Sequence, residues 1–160
     1  MTESKGRAQQ TPILFYSAKG AYGCFSNFAP YSFVLYGTHW PTTEHYFQAQ
    51  KFAGTKHEEA IRLARSPMVA ARMGRSRQRP LRPDWDEVKT IVMLEGLRAK
   101  FSQHADIRAV LLATGDAPII EHTTRDRYWG DGGDGSGKNM LGTLLVSVRD
   151  ELASAGACGR

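Results

Sequence analysis

In the segment WPTTEHYFQAQKF, residues 40–52, Glu44, Gln48 and Lys51 recur at helical spacing. At about 100° per residue they share one face with Phe47, while Tyr46 and Ala49 point elsewhere. The chemistry these types could do together is specific. A carboxylate can complement developing positive charge or move a proton, an amide can orient it, and an amine can attack an electrophilic carbon. A solvated stripe in which Glu44 merely complements the positive helix start accounts equally well for the spacing.

The second stretch that could do chemistry is RDRYWGDGGDGSGKNMLG, residues 125–142. Many glycines ahead of a helix allow close backbone approach and offer N–H groups to an anion. Gly132 to Lys138 satisfies G-x-x-x-x-G-K, but Asn139 stands where magnesium binding needs Ser or Thr, and no buried strand precedes it. An EF-hand fails because Gly133 and Gly142 occupy ligand positions. The histidines at 39, 45, 57, 104 and 122 lack H-x-x-x-H spacing, and Cys24 and Cys158 are far apart, so neither a metal site nor a disulfide is expected. His45 reads as a neutral packed histidine. There is no G-x-S-x-G elbow. Arg72, Arg75, Arg77, Arg79 and Arg82 supply much of the net charge of +5 and would suit either phosphate or plain solvent.

The elements that must position these groups fit one domain of 160 residues. Residues 1–11 read as a disordered tail, 12–152 as the domain and 153–160 as a flexible C-terminal tail. Without an apolar run long enough to span a bilayer or an N-terminal h-region, the expectation is a cytoplasmic protein with no membrane partner. Strands are expected at 12–16, 32–37 and within APIIEHT. Helices are expected from Thr42 to about Phe52, through HEEAIRLAR, from Pro67 to a left-handed cap at Gly74, and from a capping-box-like Asp84 and Glu87. Two more follow in DIRAVLLATG and NMLGTLLVSVRDEL. Many helices and few strands without βαβ alternation give an α+β class: one compact, mainly helical domain with a few short strands.

FYSAKGAYGCFSNFAP, WPTTEHYFQAQKF, RPDWDEVK, MLEGLRAKF and DRYWGDGGDGSGKNMLGTLLVSVR together resemble the NADAR family, also called YbiA-like, in colinear order over about residues 13–152. The resemblance implies a YbiA-like α+β fold and an N-glycosidase, a hydrolase that needs no cofactor. Family members are associated with hydrolysis of phosphoribosylamino-pyrimidine intermediates of riboflavin biosynthesis and with removal of ADP-ribose from modified guanine. Both reactions break a ribose C1–N bond. The implied partners are a small nucleotide-like substrate and ADP-ribosylated nucleic acid. A non-catalytic module that reads ADP-ribose or nucleic acid is the alternative.

Cleavage of that bond puts positive charge on C1, so the resemblance implies catalytic roles for Glu44 and Asp126 as carboxylates and for Lys51 as an amine able to form a Schiff base with ring-opened ribose. It implies a substrate-binding set of Phe25, Ser26, Asn27, Gln48, Trp85, Trp129, Gly130, Asn139 and Gly142. The tryptophans would stack a base, Asn27 and Asn139 would fix ribose hydroxyls, and the glycine loop and arginines would take phosphate.

Overall fold

A computed structural model describes residues 10–159; most of the N-terminal tail expected at 1–11 lies outside them. The order is β1 (Ile13–Phe15), a 3-10 turn (Gly23–Phe25), β2 (Phe33–Leu35), β3 (Thr38–Trp40), α1 (Thr43–Gln50), α2 (Lys56–Arg62), α3 (Pro67–Arg75), α4 (Trp85–Gln103), α5 (Ala105–Ala113), β4 (Ile119–Glu121) and α6 (Met140–Ala157). The α+β expectation is met: six helices surround two separate two-stranded sheets. No helix among the described residues is long and apolar enough to cross a membrane.

Local chemistry explains most boundaries. Thr42 Oγ1 accepts the His45 amide at the start of α1, and Ser66 Oγ accepts that of Val69 ahead of Pro67. Gly115, at φ +60, stops α5 as its sequence suggests. Four details differ from expectation. The strand β3, hidden in the approach to α1, pairs antiparallel with β2 across Tyr36 and Gly37, whose φ values of 52° and 76° suit the twist of a tight hairpin. Asp84 makes no cap bond, because both its oxygens are held by the Arg82 guanidinium at 2.6 and 2.9 Å. Gly74 lies inside α3, which ends in extended backbone at Ser76. Finally, α6 runs to Ala157, so the tail expected from 153 is helical for most of its length.

Helix α1 is the hub. Its residues Thr43 to Ala49 are all buried, because α3, α2 and α4 pack around it. At Gly96 of α4 an added Cβ would meet Tyr46 Cδ1 at 3.1 Å and Thr43 Cγ2 at 3.2 Å, so α1 lies against α4 at the closest separation its side chains allow. Phe25, Phe33, Phe52, Met93, Leu97 and Phe101 fill the core beside this contact. On the far side β1 and β4 run parallel, with Phe15 opposite Glu121, and α6 covers β4.

Candidate active site

The polar stripe of α1 is enclosed rather than solvated. Glu44 is 6% exposed and Gln48 4%, and Gln48 Nε2 donates to Glu44 Oε1 at 2.7 Å. The cover comes from α3: a Cβ at Gly74 would stand 2.0 Å from Gln48 Oε1. Glycine at 74 is therefore required for side-chain approach and not for a helix cap. Gly74→Ala is expected to lower kcat at least about ten-fold by pushing Gln48 off Glu44, while helix propensity favours alanine by about 1 kcal/mol and limits any loss of Tm. Steady-state kinetics beside a thermal melt check this.

Burial raises the Glu44 carboxyl above its usual range, opposed by the Gln48 hydrogen bond and by the nearby charges of Arg75 and Lys51. At the end of the same helix, Lys51 Nζ donates to the Gly74 carbonyl at 3.4 Å and lies 5.6 Å from the Phe47 ring centre and 5.8 Å from that of Trp85. Burial lowers its affinity for the proton; Glu44 opposes that shift, while Arg75 and Arg77 reinforce it. A half-buried amine whose proton affinity burial lowers, set against aromatic faces, is an environment in which a lysine can serve as a nucleophile.

The loop after the 3-10 turn supports the first turn of α1. Asn27 O accepts the Glu44 amide at 3.1 Å, Asn27 Nδ2 reaches Met93 Sδ at 3.4 Å, and Ser26 O accepts from Lys100 Nζ at 3.0 Å. Lys100 has no exposed surface, and burial pushes its ammonium down to about 7; nothing in its helical spacing distinguishes it from a surface lysine. Asn27 Oδ1, Gln48 Oε1 and Glu121 Oε2 are buried without a protein partner. Buried orphans are uncommon in native structures, and these three stand with Trp40 Nε1, Thr43 Oγ1, Arg79 Nε and Arg149 Nε among the described residues.

Trp85 and Trp129 both pack against Phe47, with ring centres 5.0 and 5.3 Å away. Asp126 Oδ1 accepts the Tyr128 and Trp129 amides at 2.8 and 2.7 Å, so its carboxylate fixes the turn that presents Trp129. Gly130 is packed under this turn, where a Cβ would meet Thr123 Cγ2 at 2.5 Å. Arg75 and Arg77 are exposed and act electrostatically on Lys51, whereas Arg82 is tied to Asp84 and Arg79 Nη1 to the Met73 carbonyl. The basic cluster thus divides into a free rim beside the stripe and a structural part.

Four other expected contributors fall outside this arrangement. Phe25 has no exposed surface and packs between Phe15, Tyr22 and Phe101, so its role is in the core. The Asn139 amide is turned to β4: Oδ1 accepts the Glu121 N–H at 3.0 Å and Nδ2 donates to Ile119 O at 2.9 Å, so both amide atoms serve the β4–α6 junction. A Cβ at Gly142 would sit 1.9 Å from Ile119 O, so that glycine seats α6 on β4. The glycine loop binds its own anions: Gly133 N–H bonds Asp131 Oδ1, Ser136 N–H bonds Asp134 Oδ1, and Gly132 and Gly137 N–H bond backbone carbonyls. With those donors occupied the loop is a self-capped support and not a phosphate cradle.

One further carboxylate has no warning in its local sequence. Glu121 closes β4, and burial together with the charges of Asp126, Glu44 and Asp131 pushes its carboxyl up to about 7. His45, in contrast, is the packed histidine expected: its ring nitrogens pair with Thr42 Oγ1 at 2.8 Å and Ala64 O at 3.0 Å, and burial lowers its affinity for the proton.

Comparison with known proteins places the whole chain among relatives. The N-glycosidase YbiA of Escherichia coli is 59% identical over 145 residues, covering 91% of each chain. A riboflavin biosynthesis protein of Vibrio vulnificus is 41% identical over 92% of this chain, which spans 40% of that longer protein. The NMR structure of the E. coli protein YbiA superposes with a TM-score of 0.86 at 55% identity, covering 96% of this chain and 92% of that one. N-glycosidases are hydrolases, so the expectation of an enzyme of that class is met by these relatives. The NADAR domain pattern matches residues 14–153, and the chain belongs to the NADAR domain family.

Proposed function

We propose that the chain is an N-glycosidase that cleaves the ribose C1–N bond of a phosphoribosylamino pyrimidine, with the guanine adduct of ADP-ribose as a second substrate class of the same bond type. The observation that carries this reading is the enclosed Glu44–Gln48 pair with the Lys51 amine on the same stripe. The name of the Vibrio relative favours the riboflavin intermediate.

In this reading Lys51 Nζ attacks C1 and forms a Schiff base with the opened ribose, while Glu44, oriented by Gln48, stabilises the cation and activates water to release the sugar. Asp126 acts through position, by holding the Trp129 turn. Trp129 and the edge of Trp85 offer apolar faces to the base. Arg75 and Arg77 receive the substrate phosphate as forked donors at the rim.

Comparison of kcat/KM for the two substrate classes tests the assignment, with each substrate also offered without its phosphate. Turnover of the phosphoribosyl compound at the higher kcat/KM supports it, and turnover of the guanine adduct alone contradicts it. Replacing Arg75 and Arg77 together by alanine should raise KM about ten-fold or more for the phosphorylated substrate and leave KM for the dephosphorylated one unchanged, with any loss of kcat through Lys51 common to both, since removal of a charged partner costs about 1.5–3 kcal/mol.

A further inference from the structure

We propose that Lys100 is a positioning residue of the site: it locks the Ser26–Asn27 loop from which the first turn of α1, and with it Glu44, is hung. The catalytic part of this inference rests on the N-glycosidase reading above. Lys100 Nζ donates to the Ser26 carbonyl at 3.0 Å, and the carbonyl of the next residue, Asn27, accepts the Glu44 N–H at 3.1 Å. That N–H belongs to the first turn of α1, where the helix itself supplies no acceptor. The loop supplies it, so the place of the loop fixes the place of the Glu44 backbone.

Helix α4 reaches the loop and α1 from one face. Met93, Gly96 and Lys100 follow one another at helical spacing over two turns. Met93 Sδ receives Asn27 Nδ2 at 3.4 Å, Gly96 admits Thr43 and Tyr46, and Lys100 holds Ser26. A thioether is a weak acceptor, whereas an ammonium on a carbonyl makes one of the stronger hydrogen bonds. Of the two side chains that grip the loop, Lys100 therefore carries the larger share.

A purely structural role does not account for a lysine at this position. Lys100 has no exposed surface, and among the described residues no carboxylate pairs with it. Its Nζ instead lies 5.2 Å from the Phe101 ring centre and 5.8 Å from that of Tyr31. An ammonium enclosed without a counter-ion destabilises the fold, and the same burial pushes it down to about 7 against the opposing pull of Cys24. Methionine has nearly the same length and would fill the space without that penalty, and the Ser26 carbonyl would still accept the Ala29 N–H at 3.2 Å. What methionine lacks is the N–H that fixes the loop, and displacing a reacting group by about 1 Å can cost about a hundred-fold in rate.

Amide hydrogen exchange and kinetics on Lys100→Met test this. The Glu44 amide is expected to exchange at least about ten-fold faster than in the wild-type protein, with the Leu145 and Val148 amides of α6 unchanged. On a phosphoribosylamino pyrimidine kcat should fall at least about ten-fold, with KM within about three-fold of wild type and Tm at the wild-type value or higher. An unchanged Glu44 amide overturns the assignment, and so does wild-type kcat in the variant. A variant that fails to fold, or that exchanges faster throughout the chain with a lowered Tm, marks a residue that only supports the fold and also overturns it. The wild-type protein provides a second measurement: the Ala29 amide, which shares the Ser26 carbonyl with Lys100, should open together with that of Glu44. A Glu44 amide that stays protected after Ala29 has exchanged overturns the proposal without any variant. Absence of turnover by the wild-type protein removes the N-glycosidase reading instead, and the two exchange measurements then decide the anchor by themselves.

Discussion

Glu44→Gln is expected to lower kcat about a hundred-fold or more, with KM within about three-fold of wild type. The replacement retains the shape and an oxygen for the Gln48 amide donor, which now bonds Glu44 at 2.7 Å. It removes the negative charge, whose value rises only as C1 becomes cationic, so the loss of about 2.7 kcal/mol falls on the transition state and not on binding. Stability should move in the opposite direction. Burial raises the Glu44 carboxyl above its unfolded value, so its contribution to stability is fully present below the unfolded pKa and is lost as pH rises through the folded one. A glutamine does not ionise and escapes that loss. The variant should therefore melt at the wild-type temperature or higher at neutral pH, the pattern of a group retained for function at a cost in stability. Calorimetry and steady-state kinetics on one preparation check both halves.

Lys51→Arg is expected to be at least as damaging, with kcat falling more than about a hundred-fold. Arginine keeps the positive charge and can still donate to the Gly74 carbonyl that Lys51 reaches at 3.4 Å. Its guanidinium stays protonated and cannot form a Schiff base. Charge and contacts are thus held constant while nucleophilicity is removed. Borohydride added during turnover should leave a reduced sugar adduct on the wild-type peptide containing Lys51 and none on the variant. Turnover of Lys51→Arg within about three-fold of wild type would assign the attack at C1 to water.

How much of this was legible in the sequence depends on the distance over which each feature is determined. Helix starts at Thr42 and Ser66 are local events between a side chain and an amide two or three residues on, and they read correctly. The phase of Glu44, Gln48 and Lys51 is likewise a property of one helix. Their burial is not, because it depends on Gly74 of α3 making room for Gln48, and that glycine alone suggested a cap. Periodicity also carries little information for a helix packed on several sides, as α1 is. The glycine-rich loop misleads for a related reason: its composition matches an anion cradle, while the Asp131 and Asp134 carboxylates in the same stretch occupy its donors. Asn139 was expected in the site by family pattern, yet its left-handed φ of 48° turns it to β4, where both amide atoms are engaged. Glu121 was silent, since a glutamate ending a short strand has no local mark; its surroundings come from α1 and a loop distant in the chain.

Catalytic cleavage of a ribose C1–N bond is what separates an N-glycosidase from a binding module. It is tested most directly by mixing catalytic amounts of the protein with excess phosphoribosylamino pyrimidine and following products by mass spectrometry over many turnovers. Free ribose 5-phosphate and free aminopyrimidine are expected in equal amounts, exceeding the protein many-fold. Intact substrate retained on the protein at one equivalent, with no sugar released, is the behaviour of a binding module and would contradict it.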